Sequence, residues 1–251
     1  MITYAFSVLL AVTQALPRDS LLAEGIRLAA MEPAAALTRF AAILARDSSD
    51  VAAGWRAAVA LNDLAEPLDA RNDRPRRDSL LARAQVLARR SVRLAPRDAR
   101  AQFALGLVLG NSALTRGLKQ RVRLSVEIQE VAQRAIALDS TLDGPHHLLG
   151  RWHHEVMKLS SLERFVARNL LGGRALSQAS WSEAQRQLEL AVALDSGRIY
   201  HRLDLARIYL ARKDTTAALT QLQTIDRLPD RVAADSRYRR EARELLAQLD
   251  R

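Results

Sequence analysis

Four of the five histidines fall within nine residues: His146, His147, His153 and His154. Imidazoles held four apart on one helical face can chelate a single ion. Here the pairs that share a face, His146 with His153 and His147 with His154, are seven residues apart. Two turns of helix separate them by about 10 Å, too far for both to reach one ion at ~2.0–2.1 Å per bond. No metal site is expected, and the histidines are assigned to the surface or to a groove.

The remaining reactive side chains are as sparse. Arg151 and Glu155 stand four apart and are expected to pair, a contact worth ~0.2–0.5 kcal/mol when exposed. Glu163 and Arg164 are expected to dock a local insertion rather than act on a substrate. There is no cysteine, which removes disulfides, thiol chemistry and Cys-ligated zinc together. Phosphate-cradling, Gly-x-Ser-x-Gly and His-Glu-x-x-His motifs are absent. No nucleophile, base or cofactor loop can be assembled, so no catalytic residue and no cofactor is expected, and the enzyme class is set aside.

The elements that carry these side chains are helices. Apolar residues make up 49% of the chain but aromatics only 4%, and the balance is largely Ala and Leu beside many Arg. These side chains lose little rotamer freedom in a helix. A pattern recurs: an Ala/Leu-rich helix end, a break of the Asp-Ser or Pro type, then a helix with Leu-Gly or Leu-Ala inside it. Its copies are Leu94-Ala95-Pro96 leading to Leu105-Gly106, Leu138-Asp139-Ser140 leading to Leu149-Gly150, Leu194-Asp195-Ser196 leading to Leu205-Ala206, and a weaker Arg46-Asp47-Ser48 before Trp55. A second signature is a triplet spaced four and three apart: Ala36, Phe40, Ile43; Ala84, Ala88, Ser91; Ala184, Leu188, Ala191; Ala218, Leu222, Ile225. This pattern resembles the tetratricopeptide repeat. The resemblance implies an all-α fold, an α-α superhelix of about five hairpins with a closing helix from about residue 231 to 249. Residues 19–251 form one such domain, in which each hairpin leaves an apolar face that its neighbour covers.

The breaks at Ser48, Pro96, Ser140 and Ser196 are 48, 44 and 56 residues apart. A plain repeat needs about 34, so each interval holds extra chain. A loop is expected over residues 67–78, where Asn72, Asp73 and Pro75 are turn formers. The longest insertion is expected at residues 159–179. Around it the sequence runs Leu149-Gly150-Arg151-Trp152, then Leu159-Ser160-Ser161-Leu162-Glu163-Arg164, then Leu170-Leu171-Gly172, then Trp181-Ser182-Glu183-Ala184. This succession resembles the regulator of microtubule dynamics family, itself tetratricopeptide-like, over roughly residues 122–249. The resemblance implies the scaffold. The Arg-rich, secretory-looking character of the chain points to a bacterial relative, so it does not carry over the microtubule partner.

By resemblance to tetratricopeptide arrays, the first helix of each pair lines an inner groove. The implied partner-binding residues are Trp55 and Asn62; Arg100, Phe103 and Asn111; His147, Arg151 and His154; Tyr200 and Arg207. Aromatic anchors mixed with Arg and Asn suit a binding surface, and the expected function is a non-catalytic scaffold for a protein or peptide, one offering acidic groups. The alternative rests on charge. The net charge is +10, and residues 71–123 hold 14 basic and 3 acidic side chains, a local net of +11. Such a block could meet an anionic membrane or nucleic acid. With Phe103 as its one aromatic, base stacking has little to work with and nucleic acid is disfavoured, while peripheral membrane contact stays open. The apolar run of residues 4–12 ends in Thr13-Gln14-Ala15 before Leu16-Pro17, so residues 1–15 read as a signal peptide and the chain as exported, periplasmic or secreted. The alternative is a buried first helix in a cytoplasmic protein.

Overall fold

A computed structural model of the chain describes residues 16–70, 73–171 and 173–249. The segment read as an export signal lies outside them. Among the described residues there is no strand, and no helix is long and apolar enough to cross a membrane.

The described residues fold as five helical pairs and a closing helix. The pairs are α1 (Arg18–Ala29) with α2 (Pro33–Arg46), α3 (Val51–Ala70) with α4 (Arg74–Leu94), and α5 (Ala99–Ala113) with α6 (Leu118–Leu138). They continue with α7 (Asp143–Lys158) and α9 (Trp181–Leu194), then α10 (Ile199–Ala211) and α11 (Thr215–Arg227), and end in α12 (Asp235–Leu249). Between α7 and α9 stand α8 (Ser161–Leu170) and a 3-10 turn (Arg174–Gln178), which is the insertion expected there. Each helix packs on its pair partner, and first helices also pack on first helices along the series α3, α5, α7 and α10.

The breaks punctuate the fold through side-chain caps. Asp47, Asp139 and Asp195 end α2, α6 and α9, and each carboxylate accepts the backbone N–H two residues on, from Ser49 (2.8 Å), Thr141 (3.0 Å) and Gly197 (3.1 Å). Asp98 starts α5 by accepting from Arg100 N (2.8 Å) and Ala101 N (3.3 Å). The first three close Asx turns between helices, and the Asp98 cap satisfies helix-end N–H groups that would otherwise lack partners.

The triplets form the seams between helices. Ala36, Phe40, Ala84, Ala88, Ala184, Leu188, Ala191, Ala218, Leu222 and Ile225 are all fully buried. The copy in α6, Ile128, Ala132 and Ala135, is buried too; its large first residue hid it from the small-apolar-small template. Glycine serves close approach at two places. A Cβ on Gly106 would collide with Leu148 of the next pair, and one on Gly150 would stand 2.7 Å from Leu188 Cγ and 3.2 Å from the Ala184 carbonyl. Two cores, one over α1–α3 and one over α10–α12, flank a larger central one.

Of the loop expected over residues 67–78, the described residues are helical except Asp73. α3 runs on through Pro67, an exposed position, and α4 begins at Arg74 with Asp73 as its cap. The extra residues lengthen α3, α4 and α6 to 20, 21 and 21 residues, because Asp73 and Pro75 are as good at starting a helix as at making a loop. The insertion is pinned at its start. Arg164 Nη1 donates to the Met157 and Leu159 carbonyls at 2.9 Å each. Glu163 instead closes a capping box with Ser160, so of the expected docking pair only Arg164 reaches α7.

α12 does more than cover the last pair. The Ala233 N–H donates to the Ala30 carbonyl (2.9 Å). Arg237 Nη2 donates to Glu66 Oε1 (2.5 Å), as does the Tyr238 hydroxyl. The far end of the chain therefore crosses the inner face and fastens to the first two pairs.

Candidate partner-binding site

The inner face holds two adjoining cavities. The first, about 370 Å³, is polar and lies where α12 faces α3, α5, α7 and α10; its lining includes Glu66, Asn111, Arg151, Asp204, Arg207 and Tyr238. The second, about 120 Å³, is apolar and lies between α5, α6 and α7 against Phe103, Leu107, Val122, Ile128, Leu148 and Trp152. Asn111, Leu114, His147 and Arg151 border both.

Asp204 organises the polar cavity. Its buried carboxylate accepts from His147 Nε2 (2.9 Å) and Arg207 Nη1 (2.7 Å), and Arg151 Nε lies 3.4 Å away. Burial alone would raise this carboxyl; the charge of Arg151, the His147 hydrogen bond and Arg207 together hold it well below the usual range. Burial pushes the His147 imidazole down to about 4 against the pull of Asp204, so at neutral pH it is uncharged and donates from Nε2. Arg207 also reaches Glu241 (2.6 Å), and Arg237 stands 3.3 Å from the same side chain. Tyr200 packs its ring on His147 (4.8 Å) and faces Tyr238 (6.0 Å), and burial raises both hydroxyls. Behind this layer His201 donates from Nε2 to Asp143 (2.7 Å). Burial and the charge of Glu66 push Asp63 up to about 7.

The structure distributes the ten sequence-derived residues unevenly. Asn111, His147, Arg151, Tyr200 and Arg207 line the polar cavity, and Phe103 lines the apolar one. Asn62 is buried beneath, its Oδ1 accepting from Asn111 Nδ2 (2.8 Å). Trp55 carries the Arg56 guanidinium 4.0 Å above its ring, Arg100 is exposed, and His154 packs 5.6 Å from the Trp181 ring; none of the three lines either cavity. Leu203, between Tyr200 and Arg207 on α10, is core at 1% exposure.

Two local expectations are overturned. Arg151 turns to Asp204 instead of Glu155, which approaches Lys158 at 3.4 Å, because the buried carboxylate from the next pair is the stronger attraction. Of the four clustered histidines, expected at the surface or in a groove, His147 is buried but lines both cavities, while His146 and His153 are interior groups that line neither. His146 bonds to Gln187 Oε1 (2.7 Å) and to the Ser140 carbonyl (3.2 Å), His147 to Asp204, and His153 Nδ1 accepts from Ser180 N (3.3 Å). Sequence reasoning missed Glu66, Asp204, Arg237, Tyr238 and Glu241. The signal available for Asp204 was a lone acid between Leu203 and Leu205 with Arg207 three residues on. No local signal marked the others, whose partners lie far along the chain.

Within the basic block of residues 71–123, three arginines are engaged by neighbouring side chains, while Arg74, Arg76, Arg83, Arg93, Arg97, Arg100, Lys119 and Arg123 are exposed. Arg77 is buried beside Asp78, Arg89 grips Glu127 with both Nη atoms (2.5 and 2.9 Å), and Arg90 reaches Ser48 (2.9 Å).

Stacked hairpins with small-residue seams, a short closing helix and a lined inner face define a tetratricopeptide-type helical repeat protein. The chain belongs to the family described as Regulator of microtubule dynamics protein 1-3, which it matches over residues 25–250. The rat Regulator of microtubule dynamics protein 3 is 24% identical over 194 residues, 76% of this chain and 40% of that protein, so the chain spans about two fifths of that relative's length. In three dimensions the chain is similar to a thermophilic TPR protein of Thermus thermophilus, TTC0263. The TM-score is 0.63 at 19% identity, covering 92% of this chain and 100% of that one. The likeness shows the fold.

Proposed function

We propose that this chain is a non-catalytic scaffold that holds a peptide or protein segment against the inner face of its helical array. The observation that carries the reading is the pairing of an apolar cavity with Arg151, whose guanidinium makes one 3.4 Å approach to Asp204. An apolar recess beside a cation with donors to spare is how a folded surface fixes and orients a partner. The polar groups of the site support the same reading from the other side. Asp204, His147 and His201 are each tied to protein partners, a static arrangement that positions surfaces rather than moves protons. The partner takes its acidic group to the cation, in keeping with the charge-assisted bonds a guanidinium forms with carboxylates.

Photo-crosslinking in the native source tests this. A photoreactive residue at Leu114, 55% exposed at the border of both cavities, is expected to capture a defined protein partner. One at Val86, 66% exposed on α4, is expected not to. Capture of the same proteins from both positions, or from neither, removes the inner face as the binding surface.

A further inference from the structure

Helix α8 is mounted with its faces reversed. A helix laid on a folded core turns its apolar side inward and its charges out. On α8 the fully buried side chain is Ala167, and Arg164 is turned back to the Met157 and Leu159 carbonyls. Leu162 and Phe165, one turn apart, stand outward at 72% and 55% exposure, with a half-buried Val166 beside them. Leu162 is the most exposed large apolar side chain among the described residues.

The surroundings of this knob are basic. α8 packs on α6 and on the 3-10 turn, and Gly173 backs so closely on α6 that a Cβ there would stand 2.8 Å from Val122 Cγ1. Residues 116–126 and 158–178, brought together by that packing, hold eight basic side chains and one acidic. Lys119, Arg123, Lys158 and Arg174 are exposed, and Lys158 approaches Glu155 of α7 at 3.4 Å. The charge of Arg121 reaches Glu163, the one acid, which is engaged in the capping box with Ser160.

Size and charge restrict what can cover the knob. A specific protein interface takes ~800 Å² from each partner, and two outward side chains on a ten-residue helix fall well short of that. A second copy of the chain would set the same cations against one another. A bilayer surface has neither difficulty. Its headgroup–acyl boundary takes up individual apolar side chains, and its anionic lipids meet cations spread around them without fixed geometry.

Independently of the scaffold reading above, we propose that α8 is an interfacial anchor that docks the array on an anionic membrane surface. Leu162 and Phe165 enter the headgroup–acyl boundary. Arg121 and Arg174 meet the lipid headgroups, with Lys119 and Arg123 adding attraction from α6. The helix lies in the plane of the interface and does not cross it.

The test floats the full chain with vesicles of phosphatidylcholine alone and of phosphatidylcholine mixed with phosphatidylserine. Binding to the mixed vesicles is expected, weakening as salt rises. Joint replacement Leu162→Ser and Phe165→Ser is expected to weaken it by about tenfold or more, and Arg121→Gln by about fivefold. The exposed positions leave the unfolding transition of the double variant at that of the parent. Since the chain has no cysteine, Phe165→Cys can carry an environment-sensitive dye, whose emission is expected to move to the blue on mixed vesicles; the same dye at Val86→Cys on α4 is expected not to move. Absence of binding to mixed vesicles overturns the proposal. So does equal binding of parent and double variant, or an equal shift at both dye positions. Lipid-free self-association of the parent that the double variant loses assigns the knob to a second copy and overturns it as well. None of these results bears on the Leu114 crosslink, so the anchor and the scaffold readings fail separately.

Discussion

The inner face is divided between a half that the protein has filled with its own charges and a half that it has left open. In the polar half, carboxylates from α3, α10 and α12 face Arg207 of α10 and Arg237 of α12, Arg151 of α7 approaches Asp204 through Nε alone, and helix α12 spans it like a strap. In the apolar half the walls are hydrocarbon, and Arg121 and Arg151 hold donors in reserve. The contrast separates two uses of arginine on one scaffold. Where every guanidinium is matched, removing a partner costs stability; where it is unmatched, removing it costs binding.

The sharpest way to break this distinction is Asp204→Asn. The buried carboxylate is the common acceptor of His147 and Arg207 and the nearest acid to Arg151, so its loss leaves cations without their counter-charge. A loss of about 3 kcal/mol in the free energy of unfolding is expected from denaturant titration. A change below about 1 kcal/mol would mean that the network is not what holds this half together.

Next comes acid. His147 has a folded value of about 4 against ~6.5 in an unfolded chain. The folded state then binds fewer protons than the unfolded one between those values. Stability is therefore full above pH 6.5 and falls as pH drops toward 4, by up to about 3 kcal/mol from this group. His147→Gln should flatten that segment of the stability profile; an unchanged slope over pH 4–6.5 would assign the loss to other groups.

A smaller effect is expected from Glu66→Gln, which weakens the acceptor shared by Arg237 and Tyr238. Glu66 and Arg237 are each more than a quarter exposed, so solvent screens the pair and about 1 kcal/mol is expected. Hydrogen exchange reads it better than global stability. Amides of α12 should exchange faster while those of α5 and α6 do not change. Uniform acceleration, or none, would show that α12 is not a separately fastened strap.

How much of this division could be read from the sequence follows from the range of each interaction. Pairs, breaks and seams were legible because they repeat locally: Ala84, Ala88 and Ser91 obey the same spacing as Ala184, Leu188 and Ala191, and all are buried. The insertion at residues 159–179 was legible from the widened interval. The extra residues before α4 were misplaced because Asp73-Arg74-Pro75 suits a turn and a helix start equally, and Asp73 in fact accepts from Arg76 N. In the candidate site, Arg151, His147 and Arg207 were reachable from the repeat pattern. Glu66 was not, because its partners lie 171 and 172 residues along the chain and meet it only through the superhelical turn. Arg151 was assigned the neighbour four residues away, Glu155, since a one-dimensional reading cannot weigh an acid arriving from another hairpin.

The smallest expected effect is the most discriminating. Arg121→Gln touches a cation of the apolar half whose side chain has no hydrogen bond or ion pair among the described residues, and Glu163, the acid that feels its charge, is held by Ser160 in a capping box. Its removal is expected to leave stability within about 0.5 kcal/mol of the parent, as for surface positions free of such features. Measured beside Asp204→Asn in the same titration, it compares a matched charge with an unmatched one on a single fold. If Arg121→Gln instead destabilises by about 1 kcal/mol or more, well beyond that surface range, the open half is also held by its charges, and the separation between a sealed and a receptive cavity disappears.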